Sequence, residues 1–239
     1  MPIQRVGDID MYYEVHGTGD PVVLIGGLGN DLSEWTWLID RCARTHSVLA
    51  FDNRGAGRTD KPDAPYSIEM MAGDTDGLME AVGIDRAIVL GASMGGRIAL
   101  ELTLEHPERV AELILVSTSA SSRPDNGPTR MEMLSILGRL VFRGKYPQPH
   151  YAQSRQRQAS RAYECTDRLH EIRVPTTIMH GRNDKIFRLR EAEALRHGIP
   201  DSQLITFRGG HIFFMARERR WFLESVDEVL DAEPSVRTP

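Results

Sequence analysis

"LGASMGGRI", residues 90–98, places a serine at the end of an apolar run, with a glycine two positions before it and another two positions after it. A serine hydroxyl is a weak nucleophile, so it must be exposed, aligned with a base and placed beside hydrogen-bond donors before it can attack a carbonyl. A sharp turn from a strand into a helix provides all three, and it requires small residues on either side because the backbones come very close. Gly91, Ser93 and Gly95 match the G-x-S-x-G pattern of such a turn. We therefore predict Ser93 as a nucleophile, although so short a pattern also arises at buried glycine-rich strand ends.

A serine nucleophile requires an acid and a base, each on a loop that follows a strand. Asp184 follows an apolar run in "IMHGRND", and His211 follows another in "FRGGHIF". His211 is predicted to take the hydroxyl proton and return it to the leaving group, while Asp184 holds the imidazole tautomer. Either residue alone would be expected to be an ordinary surface or loop residue. Three such residues in this order, each at a predicted strand end, favour a catalytic triad.

Two backbone amides are the predicted donors to the oxyanion that forms during such an attack. One belongs to Met94, directly after the nucleophile, and the other to Leu28 in "IGGLGND", residues 25–31, which follows an early strand. A dinucleotide-binding loop is the competing interpretation of this glycine-rich turn, but Leu32 stands where its third glycine belongs. The chain also contains no G-x-x-x-x-G-K-[ST] stretch, which excludes a P-loop.

Short apolar runs alternate with helical patterns along most of the chain, which predicts an α/β fold with a mostly parallel twisted sheet and helices on both faces. The region around Tyr12 predicts an antiparallel hairpin at one edge, and Ser67 is a predicted helix cap. The predicted strands are Val22–Ile25, Val48–Phe51, Ile88–Leu90, Leu113–Val116, Thr176–Met179 and Leu204–Phe207, and the predicted helices include one after Ser67, one after Ser93 and one around Phe222–Leu230.

The alternation stops between residues 121 and 163, which we interpret as a short cap inserted into a core formed by residues 1–120 and 164–239. A helix is predicted around Met131–Val141, followed by the polar stretch Gln148–Arg161. Eight basic residues face two acidic ones in this segment, a local charge of +6. A solvated helical surface is the favoured explanation, and attraction of an anionic substrate is the alternative. The basic residues are Arg123, Arg130, Arg139, Arg143, Lys145, Arg155, Arg157 and Arg161.

Composition restricts the remaining function classes. The 239 residues fit one domain, and the net charge of −5 comes from 34 acidic and 29 basic residues that are mixed along most of the chain, so we expect no nucleic-acid partner. No apolar run is long enough to span a membrane and no secretory signal is evident, which predicts a cytoplasmic protein with no membrane association. Cys42 and Cys165 are far apart and lack metal-ligand spacing, so both are predicted to be free thiols.

Several motifs together resemble the α/β-hydrolase superfamily over nearly the whole chain except the cap. Besides "GASMGG", the stretch "FDNRGAGRTDKP", residues 51–62, is similar to the family segment D-x-R-G-x-G-x-S, with Thr59 where serine is usual; there its role is mainly structural. "LGNDLSEW", residues 28–35, resembles the corresponding segment of 3-oxoadipate enol-lactonases and small carboxylesterases. Gly26-Gly27 replaces the His-Gly that many members carry, which leaves the backbone donor unaffected. The cap is shorter than usual, which implies either an open pocket or a homodimer that closes through the cap.

The resemblance and the triad pattern together predict a serine hydrolase that cleaves a small-molecule ester through an acyl-enzyme and needs no metal and no organic cofactor. A lactone hydrolase remains open, because an anionic lactone would suit the basic cap. A ligand-binding member of the fold without turnover remains open as well. Asp125 is a weak alternative to Asp184 as the acid, Trp35 is predicted to be a core anchor, and His180 is predicted to continue a strand.

Overall fold

The computed structural model describes residues 2–121, 145–146, 148–215 and 218–232. Within these ranges, eight strands form one sheet. The predicted runs all become strands, and the predicted edge hairpin is present. The strands are β1 (Ile3–Val6), β2 (Ile9–His16), β3 (Pro21–Ile25), β4 (Ser47–Phe51), β5 (Ala87–Ala92), β6 (Val110–Val116), β7 (Thr176–Gly181) and β8 (Ser202–Phe207).

The strand order is β1-β2-β4-β3-β5-β6-β7-β8. β1 pairs antiparallel with β2, and β2 antiparallel with β4, while all other neighbours are parallel. The carboxyl ends of β3, β5, β7 and β8 therefore lie along the same edge of the sheet, which is where open α/β sheets bind their ligands.

Helices cover both faces of the sheet, as predicted. Apolar side chains of α2, α3 and α5 pack on one face, and those of α1 and α6 on the other. The helices are α1 (Thr36–Cys42), α2 (Ile68–Ala81), α3 (Met94–Glu105), α4 (His150–Ala162), α5 (Leu189–Gly198) and α6 (Arg219–Leu230). Ser67 caps α2 by accepting a hydrogen bond from the Met70 N–H. In the described ranges, no helix is both long and apolar enough to cross a membrane.

The polar stretch of the predicted insertion forms a helix, α4, that apolar periodicity does not reveal. Its buried residues are Ala152, Gln156, Ala159 and Ser160, so two small residues and two polar ones face the protein. An isolated antiparallel bridge between Ser121 and Glu164 joins the two ends of the predicted insertion. The helix predicted around Met131 lies outside the described residues, as do Asp125 and four of the eight basic residues.

The three arginines on α4 do not form one uniform surface. Arg161 is exposed, Arg155 and Arg157 are partly buried, and Arg155 donates to the exposed Asp63 carboxylate over 3.3 Å. Exposed pairs of this kind contribute about 0–1 kcal/mol to stability. The Arg155–Asp63 pair therefore adds little to the stability of this part of the fold.

Candidate active site

Ser93 lies on the turn between β5 and α3 and has a backbone conformation that is rare for a residue with a side chain. Its φ is +55° and its ψ is −116°. A Cβ on Gly91 would lie within 3.0 Å of the backbone of Gly95, and a Cβ on Gly95 would come equally close to the Ile25 carbonyl. The two flanking glycines of the pattern are thus required by close approach of backbones.

β6 and the residues directly after it hold the turn in place by hydrogen bonds. The Ser93 N–H donates to the Val116 carbonyl of β6 over 2.8 Å, and the Thr118 hydroxyl donates to the Ser93 carbonyl over 2.7 Å. A strained φ of this kind, which costs on the order of 1–3 kcal/mol, persists only where surrounding contacts determine it. Thr118 belongs to no motif that would mark it in the sequence.

The structure brings all three predicted triad residues together, although each comes from a different strand end. The His211 Nε2 lies 3.0 Å from the Ser93 Oγ, and the His211 Nδ1 lies 2.8 Å from the Asp184 Oδ2. The histidine side chain is 16% exposed, while that of Asp184 is fully buried. With the proton on Nδ1, His211 donates to the carboxylate and presents a lone pair to the serine hydroxyl.

The second carboxylate oxygen of Asp184 is held by backbone donors. Its Oδ1 accepts from the N–H groups of Ile186 and Phe187, over 2.8 and 3.0 Å. Behind this loop, the Nε2–H of His180 donates to the Phe187 carbonyl over 2.9 Å, and its Nε2 lies 3.7 Å from Asp184 Oδ2. Burial lowers the pKa of His180, which favours its neutral form. As predicted, His180 lies on β7.

The loop that carries Leu28 lies against the serine turn. A Cβ on Gly27 would lie 3.4 Å from the Ser93 Cβ. Among the described residues, no hydrogen bond from the backbone N–H of Leu28 or of Met94 is found. The structure thus places the two predicted oxyanion donors on the two backbone segments that meet at Ser93.

The segment that resembles D-x-R-G-x-G-x-S supports this loop. Asp52 accepts from the Leu32 N–H over 2.6 Å and from the Arg58 N–H over 2.7 Å, and the Asn53 side-chain amide donates to the Gly26 carbonyl over 2.9 Å. Burial raises the pKa of Asp52, and the N–H groups of Arg58 and Leu32 oppose that shift.

Two further side chains lie near the site, and neither belongs to a motif that the sequence predicts. Gln156 of α4 bonds to the Leu28 loop, and Arg97 of α3 lies buried with its guanidinium 4.9 Å from the Phe187 ring centroid. The Phe187 ring in turn lies 5.5 Å from that of His211. Burial lowers the pKa of Arg97 to about 10, which still leaves it charged at neutral pH. The helical spacing of small and polar residues along 152–163 is the one sequence pattern that indicates a buried position for Gln156.

Within the described ranges, no three His, Cys, Asp or Glu side chains are grouped to hold a metal ion.

Comparisons with known proteins agree with this architecture. The family model described as the alpha/beta hydrolase fold matches residues 20–145. A relative from Azorhizobium caulinodans, named "Putative carbamate hydrolase RutD", is 31% identical over 246 residues, which cover 89% of this chain and 92% of the relative.

Two solved structures are similar over nearly their full length. The esterase EaEST from Exiguobacterium antarcticum has a TM-score of 0.83 at 25% identity, covering 96% of this chain and 98% of that one. The enol-lactonase from Burkholderia xenovorans LB400 also has a TM-score of 0.83, at 24% identity, covering 97% of this chain and 100% of that one. At that identity, the second likeness shows the fold alone.

Proposed function

The chain belongs to the α/β-hydrolase fold family, and from that premise we propose that it is a serine hydrolase that cleaves carboxylic esters through an acyl-enzyme. The observation that carries the proposal is the continuous hydrogen-bonded path from Asp184 through His211 to the Ser93 hydroxyl. A path of this geometry converts a weak nucleophile into a reactive one.

In the first half of the proposed reaction, the Ser93 Oγ attacks the ester carbonyl while His211 Nε2 takes the hydroxyl proton. The carbonyl oxygen becomes an oxyanion that the N–H groups of Leu28 and Met94 stabilise, and Asp184 stabilises the imidazolium. Collapse of the tetrahedral intermediate breaks the bond to the alcohol, which leaves with the proton from His211. Water then attacks the acyl-enzyme by the same steps, releasing the acid and restoring Ser93.

The experiment that tests this proposal replaces Ser93 with alanine. We expect Ser93→Ala to lower turnover of a p-nitrophenyl ester by at least about a thousandfold, because the nucleophile is removed. A fluorophosphonate should form one adduct on wild-type Ser93, found by mass spectrometry, and none on the variant. Unchanged turnover in Ser93→Ala would end the proposal, and a wild-type protein that neither turns over esters nor reacts with the probe would favour a ligand-binding role.

Carbamates and lactones are the alternative substrate classes, because each presents a carbonyl that the same groups can attack. The 31% identical relative, whose name describes a carbamate hydrolase, supports the first, and the basic insertion supports an anionic lactone. Rates on a carbamate ester, a carboxylate-bearing lactone and a neutral acetate ester would rank the three. High salt should slow capture of the anionic lactone alone, since screening weakens its attraction to the arginines.

A cytoplasmic location and a homodimer through the cap complete the proposal. Cys42 and Cys165 are both buried free thiols, which is usual in a reducing compartment. Sedimentation at several protein concentrations would test the dimer.

A further inference from the structure

Gln156, a buried side chain of α4, joins that helix to the Leu28 loop. Its Oε1 accepts from the Gly29 N–H over 2.9 Å, and its Nε2 donates to the Arg54 carbonyl over 2.7 Å. The side chain is fully buried. Gly29 directly follows Leu28, so the carboxamide holds the peptide that adjoins a proposed oxyanion donor.

The same face of α4 is anchored to the helix that begins after the nucleophile. Ser160 lies four residues after Gln156, one helical turn away. The Arg97 guanidinium donates to the Ser160 Oγ over 3.0 Å, and to the Ser119 Oγ and the Ser121 carbonyl, each over 2.8 Å. Arg97 is itself on α3, so α4 connects the helix that directly follows Ser93 to the loop that carries Leu28.

Because of these contacts, we propose that Gln156 is a positioning residue that orients the Leu28 N–H toward the oxyanion, and that α4 thereby couples the inserted segment to catalysis. This inference rests on the proposed function. The oxyanion exists only in the transition state and the tetrahedral intermediate, so a donor that is misaligned lowers kcat more than it changes KM. A purely structural role would instead lower thermal stability without this selective effect.

The test compares two substitutions on the same helix. Gln156→Met keeps the length of the side chain and removes both hydrogen bonds, while Gln158→Met changes an exposed neighbour. We expect Gln156→Met to lower kcat for p-nitrophenyl acetate by about 10- to 100-fold with KM within about twofold of wild type, since loss of a complete oxyanion donor lowers kcat about 10²–10³-fold. Gln158→Met should leave kcat unchanged.

A transition-state analogue supplies a second readout. A phenylboronic acid forms a tetrahedral adduct on Ser93 whose oxygen occupies the oxyanion position, so its Ki should rise in Gln156→Met by the same factor as kcat falls.

Two results would overturn the inference. One is a folded Gln156→Met variant, judged by its circular dichroism, whose kcat and boronate Ki stay within twofold of wild type. The other is an equal loss in Gln158→Met. Failure of the proposed function is distinguishable, because it would be seen as turnover that survives in Ser93→Ala, whatever Gln156→Met does.

Discussion

Replacing Asp184 with asparagine tests the triad with almost no change in side-chain shape. Asparagine keeps one acceptor oxygen and exchanges the other for an NH₂ donor. If the NH₂ faced Ile186 and Phe187, two partly buried backbone N–H groups would lose their acceptor, at up to about 1–3 kcal/mol each. The opposite orientation avoids this loss, so we expect the remaining oxygen to face the backbone and the NH₂ to face His211.

This orientation reverses the tautomer of His211. The Nδ1 must then accept from the asparagine NH₂, so the ring proton moves to Nε2 and faces the Ser93 hydroxyl 3.0 Å away. The base is lost, and we expect kcat to fall about 10⁴-fold, equivalent to about 5 kcal/mol of transition-state stabilisation.

The assay is the steady-state hydrolysis of p-nitrophenyl acetate, with thermal unfolding measured on the same preparations. Asp201→Asn, which changes an exposed aspartate ahead of β8, is the matched control and should retain wild-type kcat. A folded Asp184→Asn variant with kcat within tenfold of wild type would refute the tautomer argument, and with it the role assigned to Asp184.

Two further predictions concern stability. Gly95→Ala should lower the free energy of unfolding in urea by about 1–3 kcal/mol or more, because its Cβ would collide with the Ile25 carbonyl. Gly73→Ala in α2, where a Cβ meets open space, should raise it by about 0.5–1 kcal/mol. Equal effects of the two substitutions would contradict this account. Burial lowers the pKa of His180 below its unfolded value, so the unfolded state binds more protons and stability should decline as pH falls from 7 to 5. His180→Gln should lessen that decline, and an identical pH profile in the variant would show that His180 does not contribute to it.

Much of the fold follows from local patterns. Buried strands leave short apolar runs between turn residues, and every predicted run is a strand of the sheet. The G-x-S-x-G turn was recognisable because close backbone approach restricts which residues can occupy it. Asp184 and His211 stood out because parallel strands place their following loops along one edge.

The supporting residues were not predictable in the same way. Gln156 lies in a stretch without apolar periodicity, and its burial depends on two backbone groups, at Gly29 and Arg54, more than 100 positions earlier. Arg97 occupies an ordinary helical position, and only packing shows that its charged group is buried against Ser119, Ser121 and Ser160.

The amino-acid sequence by itself determined six strands of the sheet, three of the helices, the serine turn and the candidate acid and base, because each depends on local backbone geometry that particular residue types favour. Tertiary structure decided which distant groups meet: the 3.0 Å approach of His211 to Ser93, and the carboxamide of Gln156 beneath the Leu28 loop. Hydrogen bonds between residues far apart in the chain leave no periodic trace in sequence, since their partners become neighbours only when the sheet assembles.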